Sequence, residues 1–308
     1  MNRNKSLFIL IIFATGLLLA ACGQSSDPTG SSSGKLNVVA TTTIVGDVVR
    51  QVGGDTINLT VLLPTGADPH SFDPTPQDVA KVADARLIFA NGAGLEEFLK
   101  PMLTNAGAQA RVVEVSNGIQ LVASQDLSEG SPGAGDPHTW FDPNNVMVWV
   151  QNIQDNLSQL DPANASLYAA NAKKYDTQLK DLDAWIQGQV AQIPPASRIL
   201  VTDHAVLTYF AVRYGFRQEG AVVPGYSTLA QPNAQELASL ENAIRKYNVK
   251  AILVGKTVNP GIEERVAQDT GVKLEYIYTG SLSDPSGPAS NYLSFMRYDV
   301  SAIVAALK

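Results

Sequence analysis

The feature that most restricts this chain is a repeated alternation of short, β-rich apolar runs with stretches of helical spacing. KLNVVATTT (35–43), INLTVLLP (57–64), ARLIFAN (85–91) and ARVVEVS (110–116) are rich in β-branched residues and read as strands. Between them IVGDVVRQVG (45–54), PQDVAKVAD (76–84) and LEEFLKPML (95–103) carry helical periodicity. The plan returns in the second half. RILVTD (198–203), RQEGAVV (217–223), VKAILVG (249–255) and KLEYIYT (273–279) read as strands, separated by the helical stretches 207–215, 234–247 and 262–271. Strands apolar on both faces and separated by helices build parallel sheets covered on two sides. The expected fold is therefore α/β, in two lobes, each with a mainly parallel four-stranded sheet flanked by helices.

One long helix is expected to join the lobes. From Pro162 to about Ile193 no proline interrupts the chain, and Tyr168, Ala172, Tyr175, Leu179, Leu182, Ile186, Val190 and Ile193 step by fours and threes along one side. Some 30 residues at 1.5 Å each make a rod of about 45 Å. Pro194 and Pro195 end it. Such a rod lying along both lobes restricts hinge motion. The organisation read from the sequence is a signal peptide at 1–21, a tether at 22–34, a first lobe at 35–160, the connecting helix at 161–193 and a second lobe at 194–308.

The start of the chain addresses the protein. Arg3 and Lys5 precede an uncharged apolar run from Leu7 to Ala21. At about 15 residues the run is short for a membrane span and fits a signal-peptide core. It ends in Leu19-Ala20-Ala21-Cys22, which has the form of a bacterial lipobox, so Cys22 is expected to be lipidated and to become the new N-terminus. The Gly/Ser-rich stretch after it has the composition of a flexible tether. Cys22 is the only cysteine, so no internal disulfide is available and the fold must hold by its own core. Acidic residues outnumber basic ones, 29 to 22, and no basic run follows the signal peptide, which argues against nucleic acid as a partner.

The chain has three histidines, and all three follow an aspartate closely. GADPHSFDP (66–74) and GDPHTWFDP (135–143) are near-copies that carry His70 and His138, and VTDHAVL carries His204. His70 comes a few residues after one expected strand, and His204 directly after another. In open parallel sheets ligands bind beyond the carboxyl ends of strands, so three imidazoles drawn from both lobes into one cleft would form a metal site. Asp68, Asp136 and Asp203 are close enough in sequence to accept the second ring N–H of each histidine, which fixes a metal-binding tautomer. Pro69 and Pro137 each lock one backbone torsion beside a ligand.

These segments, together with TTTIVGDVVRQVGGD (41–55), ANGAGLEEFL (90–99), TDHAVLTYFAVRYGF (202–216) and NYLSFMRYDVSAIVAAL (291–307), resemble bacterial zinc/manganese ABC-transporter substrate-binding lipoproteins along nearly the whole exported chain. The resemblance implies two α/β lobes joined by one long helix. It places His70, His138 and His204 on three of the family's four metal-ligand positions. The fourth, usually an aspartate, is Gly280 in this chain, and a glutamate common at the end of the preceding strand is Gly255. Water or Asp284, four residues on, is left to complete the shell.

Three imidazoles suit zinc better than manganese, which sits lower in the general affinity order. Zn²⁺ is the expected ion, with Mn²⁺ the alternative. The resemblance further implies an extracytoplasmic, lipid-anchored, non-enzymatic monomer that delivers its ion to a membrane permease and its ATPase. A surface adhesin and, from the open coordination position, a zinc hydrolase are the other readings. The segment 124–135 lacks the histidine-rich insertion of some zinc-type relatives, so no auxiliary zinc store is expected.

Overall fold

The computed structural model describes residues 34–122 and 135–308. The signal segment, Cys22, the tether up to Ser33 and most of the 124–135 segment lie outside the described residues. The first sheet runs β2-β1-β3-β4, with β1 Leu36–Ala40, β2 Ile57–Val61, β3 Leu87–Ala90 and β4 Arg111–Glu114, all parallel. The second runs β6-β5-β7-β8, with β5 Ile199–Thr202, β6 Arg217–Ala221, β7 Ala251–Gly255 and β8 Lys273–Ile277, again all parallel. The fold class read from the sequence is thus the one observed.

Position in the sheet accounts for the composition of each strand. LIFA of β3 and AILVG of β7 are internal and buried throughout, so both faces are apolar. RVVE of β4 lies at an edge and is largely exposed. In both sheets the chain order reverses at the centre, between β1 and β3 and between β5 and β7. The two reversal points are where a parallel sheet leaves a crevice at its carboxyl edge.

The helices are α1 Thr43–Gly53, α2 Pro76–Ala83, α3 Leu99–Ala106, α4 Pro143–Leu160, α5 Ala165–Val190, α6 Thr208–Tyr214, α7 Ala234–Tyr247, α8 Gly261–Thr270 and α9 Tyr292–Leu307. The long helix is α5. It has 26 residues, about 39 Å of rod, because Pro162–Asn164 form a separate 3₁₀ turn before it. Its buried side is the expected stripe, from Tyr168 to Val190.

The rod is not a bare connector. Two helices that the strand–helix alternation does not reveal, α4 and α9, pack on it together with α1. The buried residues of α4, Val146, Trp149, Val150, Ile153 and Leu157, have helical spacing, but Asn144, Asn145, Asn152 and Asn156 dilute the pattern with poor helix formers. Asp183 of α5 accepts hydrogen bonds from Arg213 and from the Tyr214 hydroxyl (2.8 Å), which fastens α6 to the rod.

The helix expected at 95–103 starts later, at Leu99. Gly92, Ala93 and Gly94 all have positive φ, and the Glu96 carboxylate folds back onto the amides of Asn91 and Gly92. A left-handed run cannot continue into an α-helix, so the first turn is deferred.

Candidate metal centre

Each histidine is positioned by a short loop, and each loop is held by an aspartate. His204 follows β5 at the reversal point of the second sheet. Asp203 Oδ1 accepts from the His204 amide (2.6 Å) and from its Nδ1 (2.9 Å), while Oδ2 accepts from the Gly255 amide at 2.7 Å. The carboxylate therefore joins the ends of β5 and β7 beneath the ring. Glycine is needed at 255 because a Cβ there would lie 2.3 Å from Thr279 Oγ1 and 2.9 Å from Asp203 Oδ2.

His138 has the same arrangement from the first lobe. Asp136 Oδ1 accepts from the His138 amide at 2.8 Å and from Nδ1 at 2.7 Å. The Asp-Pro-His segment is fixed by side chains on both sides. Asn91 donates to the Pro137 carbonyl (2.9 Å), and the Tyr209 hydroxyl donates to the Asp136 carbonyl (2.7 Å). Just beyond, Trp140 Nε1 donates to the Thr279 carbonyl across the cleft at 3.1 Å.

Asp68 departs from the expectation. It does not accept from the ring of His70. Its Oδ1 takes the His70 amide at 3.0 Å, and its Oδ2 takes the hydroxyls of Ser71 (3.1 Å) and Thr228 (2.6 Å). The near-copies share a sequence but not a geometry, because Asp68 is drawn outward by Thr228 of the other lobe. Asp68 thus ties the His70 loop across the cleft.

The three rings converge. His70 Nε2 lies 3.0 Å from His138 Nε2, which lies 3.3 Å from His204 Nε2, and one nitrogen from each ring falls within 4.8 Å of the others. An ion bound by imidazoles at about 2.0–2.1 Å in tetrahedral geometry holds its nitrogens about 3.3 Å apart. His138 and His204 are buried, and His70 is half-buried at the cleft edge. With Nδ1–H donated to an aspartate, neutral His138 and His204 each present a lone pair at Nε2. At 3.3 Å these two nitrogens are placed to share one proton or to ligate one ion.

The electrostatics follow from this crowding. Burial, and then the positive charge that His138 and His204 can carry, push His70 down to about 3. Burial and His204 hold His138 well below the ordinary imidazole value. His204 moves the other way: burial opposes its charge, but Asp203 outweighs it and the pKa is raised. Burial lifts Asp136 to about 7 against the hydrogen bond from the His138 amide. Asp203 is lowered despite its burial, chiefly by His204. His70 and His138 are thus held neutral while His204 and Asp136 hold protons more readily, and once these are shed the cluster offers three nitrogen lone pairs to a divalent ion.

No carboxylate among the described residues enters this cluster. Asp284, one of the two candidates for the fourth position, is exposed and lines a neighbouring hollow rather than the histidine cavity. The histidine cavity is a tight space bounded by Asp68, Pro69, Val206, Thr257, Thr279 and Gly280 in addition to the rings. Asn91, Tyr209 and Thr228, which hold the loops, carry no local motif that announces the role.

The chain compares well with known proteins over this whole architecture. The family model described as zinc-uptake complex component A, periplasmic (ZnuA), matches residues 38–306. The manganese-binding lipoprotein MntA of Halalkalibacterium halodurans is 31% identical over 305 residues, 99% of each chain. The manganese ABC transporter substrate-binding lipoprotein PsaA of Streptococcus pneumoniae is 30% identical over 306 residues, 97% of each. Among solved structures, the periplasmic zinc-binding protein TroA of Treponema pallidum superposes with a TM-score of 0.80 at 26% identity, covering 89% of this chain and 99% of its own. A manganese-bound periplasmic metal-binding protein of Candidatus Liberibacter asiaticus gives a TM-score of 0.78 at 29% identity, covering 89% of this chain and 100% of its own.

Proposed function

The chain belongs to the zinc-uptake component A family of metal-binding ABC-transporter substrate-binding proteins, and from that premise we propose that its cargo is a zinc ion held by His70, His138 and His204. The single observation that carries the assignment is the convergence of three Nε2 atoms, two of them kept as lone-pair donors by Asp136 and Asp203. Such a donor set suits zinc, and manganese favours oxygen ligands that this cluster lacks. Some relatives bear manganese in their names, so the metal must be tested directly.

The ion is captured rather than used for chemistry. The lobes, 35–160 and 194–308, close on it, and the loaded form docks on a permease whose ATPase drives import. The relatives named as lipoproteins support lipidation at Cys22 as the tether. No described helix is long and apolar enough to cross a membrane. The fourth position of the ion is filled from outside the chain, by water in the simplest case.

Titration of the metal-free protein with zinc and with manganese, each against a competing chelator, tests the choice of ion. Zinc is expected to bind at least about a hundredfold more tightly. Equal or tighter manganese binding overturns the zinc assignment.

A further inference from the structure

A second hollow, of about 280 Å³, lies beside the histidine cavity. Its walls come from the loop after β2 (Thr65, Gly66), the loop after β7 (Lys256, Thr257) and the segment between β8 and α9 (Ser281 to Gly287). It therefore lies at the carboxyl edge of both sheets, where parallel folds bind ligands. Thr257 lines both hollows, and Gly280 of the histidine cavity is the chain neighbour of Ser281.

The lining mixes polar and apolar surface and carries one cation, Lys256. Lys256 Nζ stands 4.1 Å from the ring centre of Tyr278 and 4.4 Å from that of Tyr298, and donates to the Tyr298 hydroxyl at 2.9 Å. Two aromatic faces and one hydrogen bond hold the ammonium in place and leave further N–H donors on it. Thr65, Thr257, Ser283 and Ser286 bring hydroxyls to the same wall. The space admits several waters or a small organic molecule.

This hollow lies beside a histidine cluster that no carboxylate of the described residues enters. Gly255 and Gly280 bring no side-chain ligand to the cluster, and a Cβ at either would meet neighbouring atoms at 2.3 Å and 2.7 Å respectively. We propose that the hollow binds a small carboxylate-bearing molecule, whose carboxylate meets Lys256 and whose far end meets the cargo ion over Thr257 as its non-protein ligand. The inference rests on the trihistidine reading above. The substrate is then a metal ion with its organic acid rather than a bare ion. Asp284 at the rim favours a ligand that also bears a hydroxyl or an amine.

Cobalt(II) in place of zinc makes the test visible, because its absorption reports coordination. The protein is loaded with cobalt and titrated with L-malate in one arm and L-glutamate in the other, which separates hydroxy acids from amino acids. The wild-type spectrum is expected to change saturably at millimolar or lower concentration in at least one arm. Lys256→Ala should take up cobalt alone with the same spectrum and affinity, yet bind the acid at least about tenfold more weakly, the scale of one lost charge-assisted hydrogen bond. Lys256→Arg should recover part of the loss. Failure to form a histidine-type cobalt spectrum before any acid is added would defeat the trihistidine reading. A normal cobalt spectrum with no saturable response to either acid, or with a response equal in Lys256→Ala, would overturn the carboxylate proposal and leave the metal site standing.

Discussion

Gly280 and Pro69 face each other so closely that a Cβ on the glycine would stand 2.7 Å from Cδ of the proline. The pyrrolidine ring belongs to the Asp-Pro-His segment that carries His70, and it occupies the way in for any side chain from 280. The absence of a side chain at 280 is therefore part of the packing of the His70 loop. Gly280→Ala, which adds one methyl group and no chemistry, is expected to destabilise the metal-free protein by about 1–3 kcal/mol and to weaken zinc binding through displacement of His70. Chemical denaturation with a chelator-competed titration checks both. Unchanged stability and affinity would show that the loop yields freely.

Asp136 and Asp203 act on the ion through the imidazoles. Asp136→Asn keeps the size and removes the negative acceptor from His138 Nδ1. Loss of such a partner costs about 10- to 100-fold in metal affinity, so zinc binding should weaken within that range while the fold persists. An unaltered dissociation constant would mean that the carboxylate holds the backbone alone.

Thr228 and Asp68 form a polar clasp between the lobes at 2.6 Å. A hydrogen bond to a charged group contributes about 1.5–3 kcal/mol. Thr228→Val should therefore release zinc at least about tenfold faster, with little change in the rate of capture, because the clasp forms only when the lobes are together. Stopped-flow release into excess chelator reads this directly. A variant slowed in capture instead would place the clasp before binding.

Protons compete with the ion in a defined direction. His204 has a raised pKa and Asp136 is lifted to about 7, so below these values the metal-free site carries protons that zinc must expel. His70, held near 3, and His138, also lowered, are neutral across this range and release none. Affinity should thus rise with pH up to about 7 and level off above the raised values. Calorimetry near about pH 6 in buffers of different ionisation enthalpy should count roughly one to two protons released per zinc. Zero protons would contradict the electrostatics of the cluster.

Much of this was legible in the chain. The alternation of apolar runs revealed both sheets, and the stripe from Tyr168 to Val190 revealed the rod, because burial on one or two faces is written directly into spacing. The three histidines stood out by scarcity and by their aspartates. What the spacing concealed depends on contacts between distant segments. Asp68 and Asp136 sit in near-identical strings, yet one turns to Thr228 and the other to an imidazole, and only the opposite lobe decides between them. The helix α4 hid behind its asparagines, and the closure of Gly280 by Pro69 needs two loops more than 200 residues apart in sequence to meet.

X-ray absorption at the zinc edge of the loaded protein tests the central claim most directly. Three imidazole nitrogens at about 2.0–2.1 Å, with one further light atom that is lost or exchanged without mutation of the chain, are the expected shell. A shell with fewer than three imidazoles, or with a carboxylate contributed by the protein itself, would contradict it.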